Sequence, residues 1–144
     1  MTLNKEYLKE HRRKRIELEN SKTRLELLYS KTGLRSPSAA DGMPHAHNAM
    51  DSMGETVYEI VKLENEIKKC QEIIRIETIT IDGTMTRLSP LEKQVITYRY
   101  IDCLEWDEVI GNIFGRYTDY SYNKDKYKDK VFRIHGAALK HIRG

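Results

Sequence analysis

The stretch Arg87-Leu88-Ser89-Pro90-Leu91-Glu92-Lys93-Gln94-Val95-Ile96-Thr97-Tyr98-Arg99-Tyr100 decides how the last third of the chain folds. Ser89 is placed to accept from the third backbone N–H of a new helix, and Glu92 to reach back. Pro90 falls at the first helical position, where its missing N–H costs nothing. Leu91, Val95 and Tyr98, with Ile101 or Asp102 beyond, then follow at helical spacing. Residues 101–105 break that face before Trp106, Val109, Ile110, Ile113 and Phe114 resume it. Gly115 is expected to end this helix in a left-handed conformation. Val131, Ile134, His135, Ala138, Leu139 and Ile142 mark one more helix running nearly to the end.

Upstream, residues 3–31 predict a helix rich in Glu, Lys, Arg and Leu. Leu18, Leu25 and Leu28 share a face with Ser21, and the basic run Arg12-Arg13-Lys14-Arg15 precedes them. So thin an apolar stripe needs a partner helix. From about 32 to 51, Gly, Pro, Ser and Ala without period read as a linker. His45 and His47, with Asp41 and Asp51 nearby, supply at most half of a metal site, so no metal and no other cofactor is expected. Ser52 and Glu55 predict a capping box opening a second helix. Ile60, Ile67, Ile74 and Ile81 recur every seven residues, with Leu63, Cys70 and Glu77 offset by three, which is a heptad seam. Glu77 spoils that seam, and the helix is expected to end or bend before Asp82-Gly83. The economical arrangement pairs 3–31 antiparallel with 54–80; a parallel dimer through the 54–80 helix is the rival.

The expected fold is therefore all-α, with a helical hairpin or coiled-coil arm over 1–83 and a three-helix helix-turn-helix domain over 84–144. The 144 residues are 39% apolar and 33% charged, with three prolines, which suits a globular or coiled-coil chain better than a disordered one. Phe and Trp total three, so two small cores are expected in place of one large one. Charge, not an apolar run, follows Met1-Thr2-Leu3-Asn4, and no apolar stretch is long enough for a membrane span. Cys70 and Cys103 make no C-x-x-C pair, which fits a reducing cytoplasm.

Net charge is only +3, but it is unevenly spread. Residues 1–35 hold ten Lys/Arg against five acids, and 116–144 hold eight against three, leaving seven against fourteen between them. Two basic ends around an acidic centre point to local contact with a polyanion. The candidate contacts are Lys124, Lys126, Lys128, Lys130, Arg133, His135, Lys140 and Arg143, interleaved with Tyr120 and Tyr122. Lys and Arg neutralise phosphates and donate to base edges, and tyrosine hydroxyls add phosphate contacts. Lys128, Lys130 and Arg133 stand where a recognition helix enters the major groove, and the start of the helix near Trp106 offers N–H groups to another phosphate. His135 and His141 accompany no nucleophile pattern and no phosphate-binding glycine loop is present, so no enzyme is expected.

Read together, Leu88–Tyr100 resembles the opening of sigma-factor region 4, a promoter-recognising module, with Tyr98 in the place of a leucine. Leu104–Ile110 resembles its second helix. Val131-Phe132-Arg133-Ile134-His135-Gly136-Ala137-Ala138-Leu139-Lys140 resembles the recognition helix of a narrower group, the ArpU/RinA-type phage late transcriptional regulators. That group also carries a charged first helix, a Ser/Pro/Gly linker and a heptad-like second helix, so the resemblance covers most of the chain. It implies a sequence-specific regulator that binds double-stranded DNA and activates packaging and lysis genes with host RNA polymerase. Two positions depart from the group. Ile110 stands where members have a small residue, and between Gly115 and Val131 lie about ten residues more than a short turn needs. Tyr117–Lys130 then either lengthens the last helix backwards or forms a wing. The rival functions are an interaction protein that docks on RNA polymerase without touching DNA, and a small terminase-like packaging subunit.

Overall fold

A computed structural model describes residues 3–32 and 47–143, with the side chains of 47–52 excepted. It is all-α. Among the described residues five α-helices follow one another: α1 (Lys5–Thr32), α2 (His47–Thr84), α3 (Pro90–Ile96), α4 (Trp106–Phe114) and α5 (Lys124–Arg143). No helix among them is long and apolar enough to cross a membrane. The pairing of His45 with His47 lies outside the described residues.

The chain divides into two compact units, Met1–Arg15 with Ile74–Gly144, and Ile16–Ile73. This displaces the boundary expected near residue 83. The reason is a core cluster in which Leu3 and Leu8 of the N-terminal segment and Ile81 of α2 join Leu88, Ile96, Tyr100, Ala138 and Ile142. The apolar sides of α3 and of the C-terminal half of α5 need cover, and the first turns of α1 supply it. A second cluster, Val95, Val109, Ile110, Phe114, Tyr127 and Val131, lies where α3, α4 and α5 meet. Burying each such side chain stabilises by about 1.5–3 kcal/mol. Both clusters lie in one unit, and the first is built from both ends of the chain.

In the unit Ile16–Ile73, Leu18 and Leu28 of α1 and Ile60, Leu63 and Ile67 of α2 are the buried positions, with Leu25 half-buried. The heptad pattern reads correctly here, and it continues into the other unit with Ile74 and Ile81. The start of α2 does not follow the capping-box expectation, because the helix begins at His47 and Ser52 lies within it. Its end runs on through Asp82-Gly83 to Thr84, followed by a 3-10 turn, Met85–Arg87. Ile81, fully buried, holds that last turn in place.

The capping box at α3 forms as expected: Ser89 Oγ accepts from the Glu92 N–H at 3.3 Å, and Glu92 Oε1 accepts from the Ser89 N–H at 2.8 Å. Its buried face is rotated from the expected one. Leu91 is 43% exposed, while Leu88, Glu92, Val95 and Ile96 are buried. Glu92 tolerates this because Ser89 and His141 both hydrogen-bond to it, the latter at 2.7 Å. Burial pushes its carboxyl up, and those bonds pull it below the usual range.

After Ile96 the helix widens into a π-turn, Thr97–Ile101, closed by Asp102 N–H donating to Thr97 O at 2.8 Å. The shifted register carries Tyr100 inward, where it is 2% exposed. Gly115, expected in the left-handed region, has φ −61°. The chain instead leaves α4 through successive turns, the first closed by Tyr117 N–H on Phe114 O at 3.0 Å.

Candidate nucleic-acid interface

The sequence 116–130 divides in two. Residues up to Asn123 make turns, and from Lys124 onward they belong to α5. The last helix is therefore lengthened backwards over 124–130, and 116–123 forms turns ahead of it. Its inner side carries Tyr127, Val131, His135, Ala138 and Ile142, all buried, with Ile134 and Leu139 half-buried. These positions step by four and three, so they fall on one stripe of a helix with 3.6 residues per turn.

The same geometry sorts the cations. Lys126, Lys130, Arg133 and Lys140 are all exposed, and their spacing of four, three and seven places them on one outward stripe. Lys124, Lys128 and Arg143 are exposed too, but they point away from that row. Lys128 lies over the Phe132 ring at 5.9 Å on the flank facing Trp106. Asp125 and Asp129 are exposed beside the row, so the positive field is graded along α5 and not uniform.

His135 is corrected outright. It is 7% exposed, shares a 2.7 Å hydrogen bond with the Tyr100 hydroxyl, and meets Trp106 edge-on with centroids 4.9 Å apart. Burial, with Lys5 and Arg99 adding to it, pushes its pKa down to about 4. It is a neutral core residue at neutral pH and offers nothing to a phosphate. Tyr120 is also turned inward in part: it is half-buried and packs against Tyr127 with centroids 6.0 Å apart. Tyr122 is 86% exposed.

The turn ahead of α5 is held by Asp119, which sequence reasoning does not single out. Its carboxylate accepts from the Tyr127 hydroxyl at 2.5 Å and from Asn123 Nδ2 at 3.0 Å, and Lys126 approaches at 4.0 Å. The hydrogen bond from the Tyr127 hydroxyl holds Asp119 below the usual carboxylate range and pushes Tyr127 up to about 12. Only the fold reveals this, because Asp119 lies in the turn outside α5, where helical spacing says nothing of its neighbours.

The start of α4 does not suit a phosphate. Glu105, Asp107 and Glu108 are all exposed there, and Glu108 Oε1 already accepts from the Glu105 N–H at 3.1 Å. Carboxylates thus satisfy the helix dipole that an anion would seek.

The basic run of α1 is committed within the protein. Arg12 donates from Nε to Arg99 O at 3.1 Å and from Nη2 to Cys103 O at 3.2 Å and Glu105 Oε1 at 3.3 Å. Cys103 sits at φ 60°, left-handed for a residue with a side chain. Lys14 Nζ bonds Glu77 Oε2 at 2.6 Å, and Arg15 reaches His11 Nε2 and Thr78 Oγ1, each at 2.7 Å. His11 is fully buried and bonds Glu77 Oε1 through Nδ1 at 2.9 Å. Arg15 can only donate, so His11 Nε2 accepts and its proton sits on Nδ1. Glu77 interrupts the apolar heptad because it receives these groups.

Among the described residues no group of three or more His, Cys, Asp or Glu side chains could hold a metal ion. Comparison with family models, with curated proteins and with solved structures finds no match.

Proposed function

We propose that this chain is a sequence-specific DNA-binding regulator of transcription, with α5 as the reading helix of a helix-turn-helix. What supports this is the outward row Lys126, Lys130, Arg133 and Lys140 on a helix whose opposite side is locked into the core. Such a helix presents cations at fixed spacing without first being ordered, which lowers the entropic cost of binding. Arg133 lies centrally in the row and is the residue to fork onto a guanine, the commonest specific contact in the major groove. The lysines hold phosphates. Activation of phage late genes together with host RNA polymerase is the setting that the resemblance to ArpU/RinA-type regulators implies.

Self-association through α2 belongs to the same proposal, supported by exposed Val57, Tyr58 and Val61 on that helix; mass measurement in solution tests it. The decisive experiment for DNA binding is selection of duplexes from a random pool, followed by gel shifts of the enriched duplex at several salt concentrations. Three phosphate contacts predict a log–log slope of about −2.7. A pool without enrichment, or affinity indifferent to salt, sinks the proposal.

A further inference from the structure

We propose that the turn from Arg116 to Asn123, with Lys124 at its end, is a second contact for the phosphate backbone of the same duplex, separate from the reading row on α5. This rests on the DNA-binding proposal above and adds a surface to it. Three observations meet in this turn.

The first is its stiffness. Tyr127 stacks on Phe114 with centroids 5.0 Å apart, and Tyr117 meets both rings edge-on at 5.4 and 5.6 Å. Asp119 ties the turn to Tyr127 and Asn123 through its side chain, and its carbonyl accepts from Tyr122 N–H at 3.1 Å and Asn123 N–H at 3.0 Å. A nine-residue connection needs no such anchoring merely to join two helices.

The second is what the anchored turn displays. Tyr122 is 86% exposed although its neighbours Tyr117 and Tyr120 pack against the core rings. Arg116 and Lys124 are exposed on either side of it. The third is composition: one hydroxyl donor and two cations within nine residues are a donor set that phosphate oxygens take. A single acid, Asp119, lies within the turn, and it is engaged by Tyr127 and Asn123. The turn therefore contributes affinity without sequence preference, whereas Arg133 contributes discrimination.

The test uses the full chain, one duplex enriched by selection and one of random sequence. In the double variant Arg116→Ala, Lys124→Ala the salt slope falls in magnitude by about 2, near 0.9 per phosphate contact, and affinity drops by the same factor on both duplexes. Tyr122→Phe weakens both a few-fold and leaves the slope unchanged. All three side chains are exposed, so the melting temperature stays the same. An unaltered slope in the double variant, with the wild type still binding, overturns the inference and leaves the DNA-binding proposal standing. A loss confined to the enriched duplex also overturns it, because the turn would then be reading bases. Absence of any duplex binding by the wild type removes the parent proposal instead.

Discussion

The two basic segments of this chain carry the same excess charge and meet opposite fates. In 1–35 the run Arg12–Arg15 sits over a helix face whose partner offers Glu77, Thr78 and the carbonyls of Arg99 and Cys103, and its charges are consumed there. In 116–144 the inner side of α5 is aromatic and aliphatic, so its cations stay at the surface, where Lys124, Lys126, Lys128 and Lys130 lie over aromatic rings and Lys126 approaches Asp119 at 4.0 Å. Charge counted along a sequence is therefore not charge available to a partner. What separates the two is whether polar groups lie opposite.

The comparison breaks most visibly at Arg12. Replacing it with Ala leaves the Arg99 and Cys103 carbonyls without their donor and frees a turn that holds Cys103 left-handed. A loss of about 3 kcal/mol is expected in a denaturant melt, since bonds from a charged donor are worth about 1.5–3 kcal/mol each. A change below half that value would mean that Arg12 is no more than decoration. Arg133→Ala is the mirror case. Stability stays level, while discrimination between the enriched and a random duplex falls by about 1–3 kcal/mol, read from the two dissociation constants.

Acid sharpens the contrast between paired and unpaired groups. His11 and His135 are both held neutral by burial, with pKa values below the ordinary 6.5, that of His135 at about 4. The unfolded chain then binds more protons than the folded one as pH falls from about 6.5 towards 4. Stability is complete above that window and declines through it, at up to about 1.4 kcal/mol per pH unit for each histidine. His135→Phe should flatten the slope of unfolding free energy against pH; an unchanged slope would contradict its burial. Glu77, Glu92 and Asp119 have lowered pKa values, so their contribution persists through most of the window and is lost further down. Smallest of all is Arg13→Ala. Arg13 reaches the exposed Glu10 at 2.8 Å one turn away, and water and salt screen such an exposed pair so that it contributes little to stability. Neither melting nor duplex binding should move, although the residue is next door to Arg12.

Much of the helix content was legible because it is local. The capping box at Ser89 and Glu92, the seven-residue recurrence of Ile60 to Ile81, and the inner stripe of α5 each follow from spacing and short-range hydrogen bonding. The candidate surface was legible only in part. Lys126, Lys130, Arg133 and Lys140 separate from Lys124, Lys128 and Arg143 once the helix phase is known, and that phase depended on where α5 begins. His135 looked like a basic contact and is a core residue, because Tyr100 waits opposite it after the π-turn. No pattern in the sequence announces a register shift of that kind.

By itself, then, the amino-acid order determined the all-α class, the heptad seam and which side of the last helix is greasy, since each depends on residues a turn or two apart. The tertiary structure alone decided which charges are spent and which remain. It also moved the first fifteen residues into the C-terminal unit and set Asp119 against Tyr127. Pairing of that sort depends on what lies across a gap in space, and a carboxylate or carbonyl many residues away leaves no mark on the local sequence.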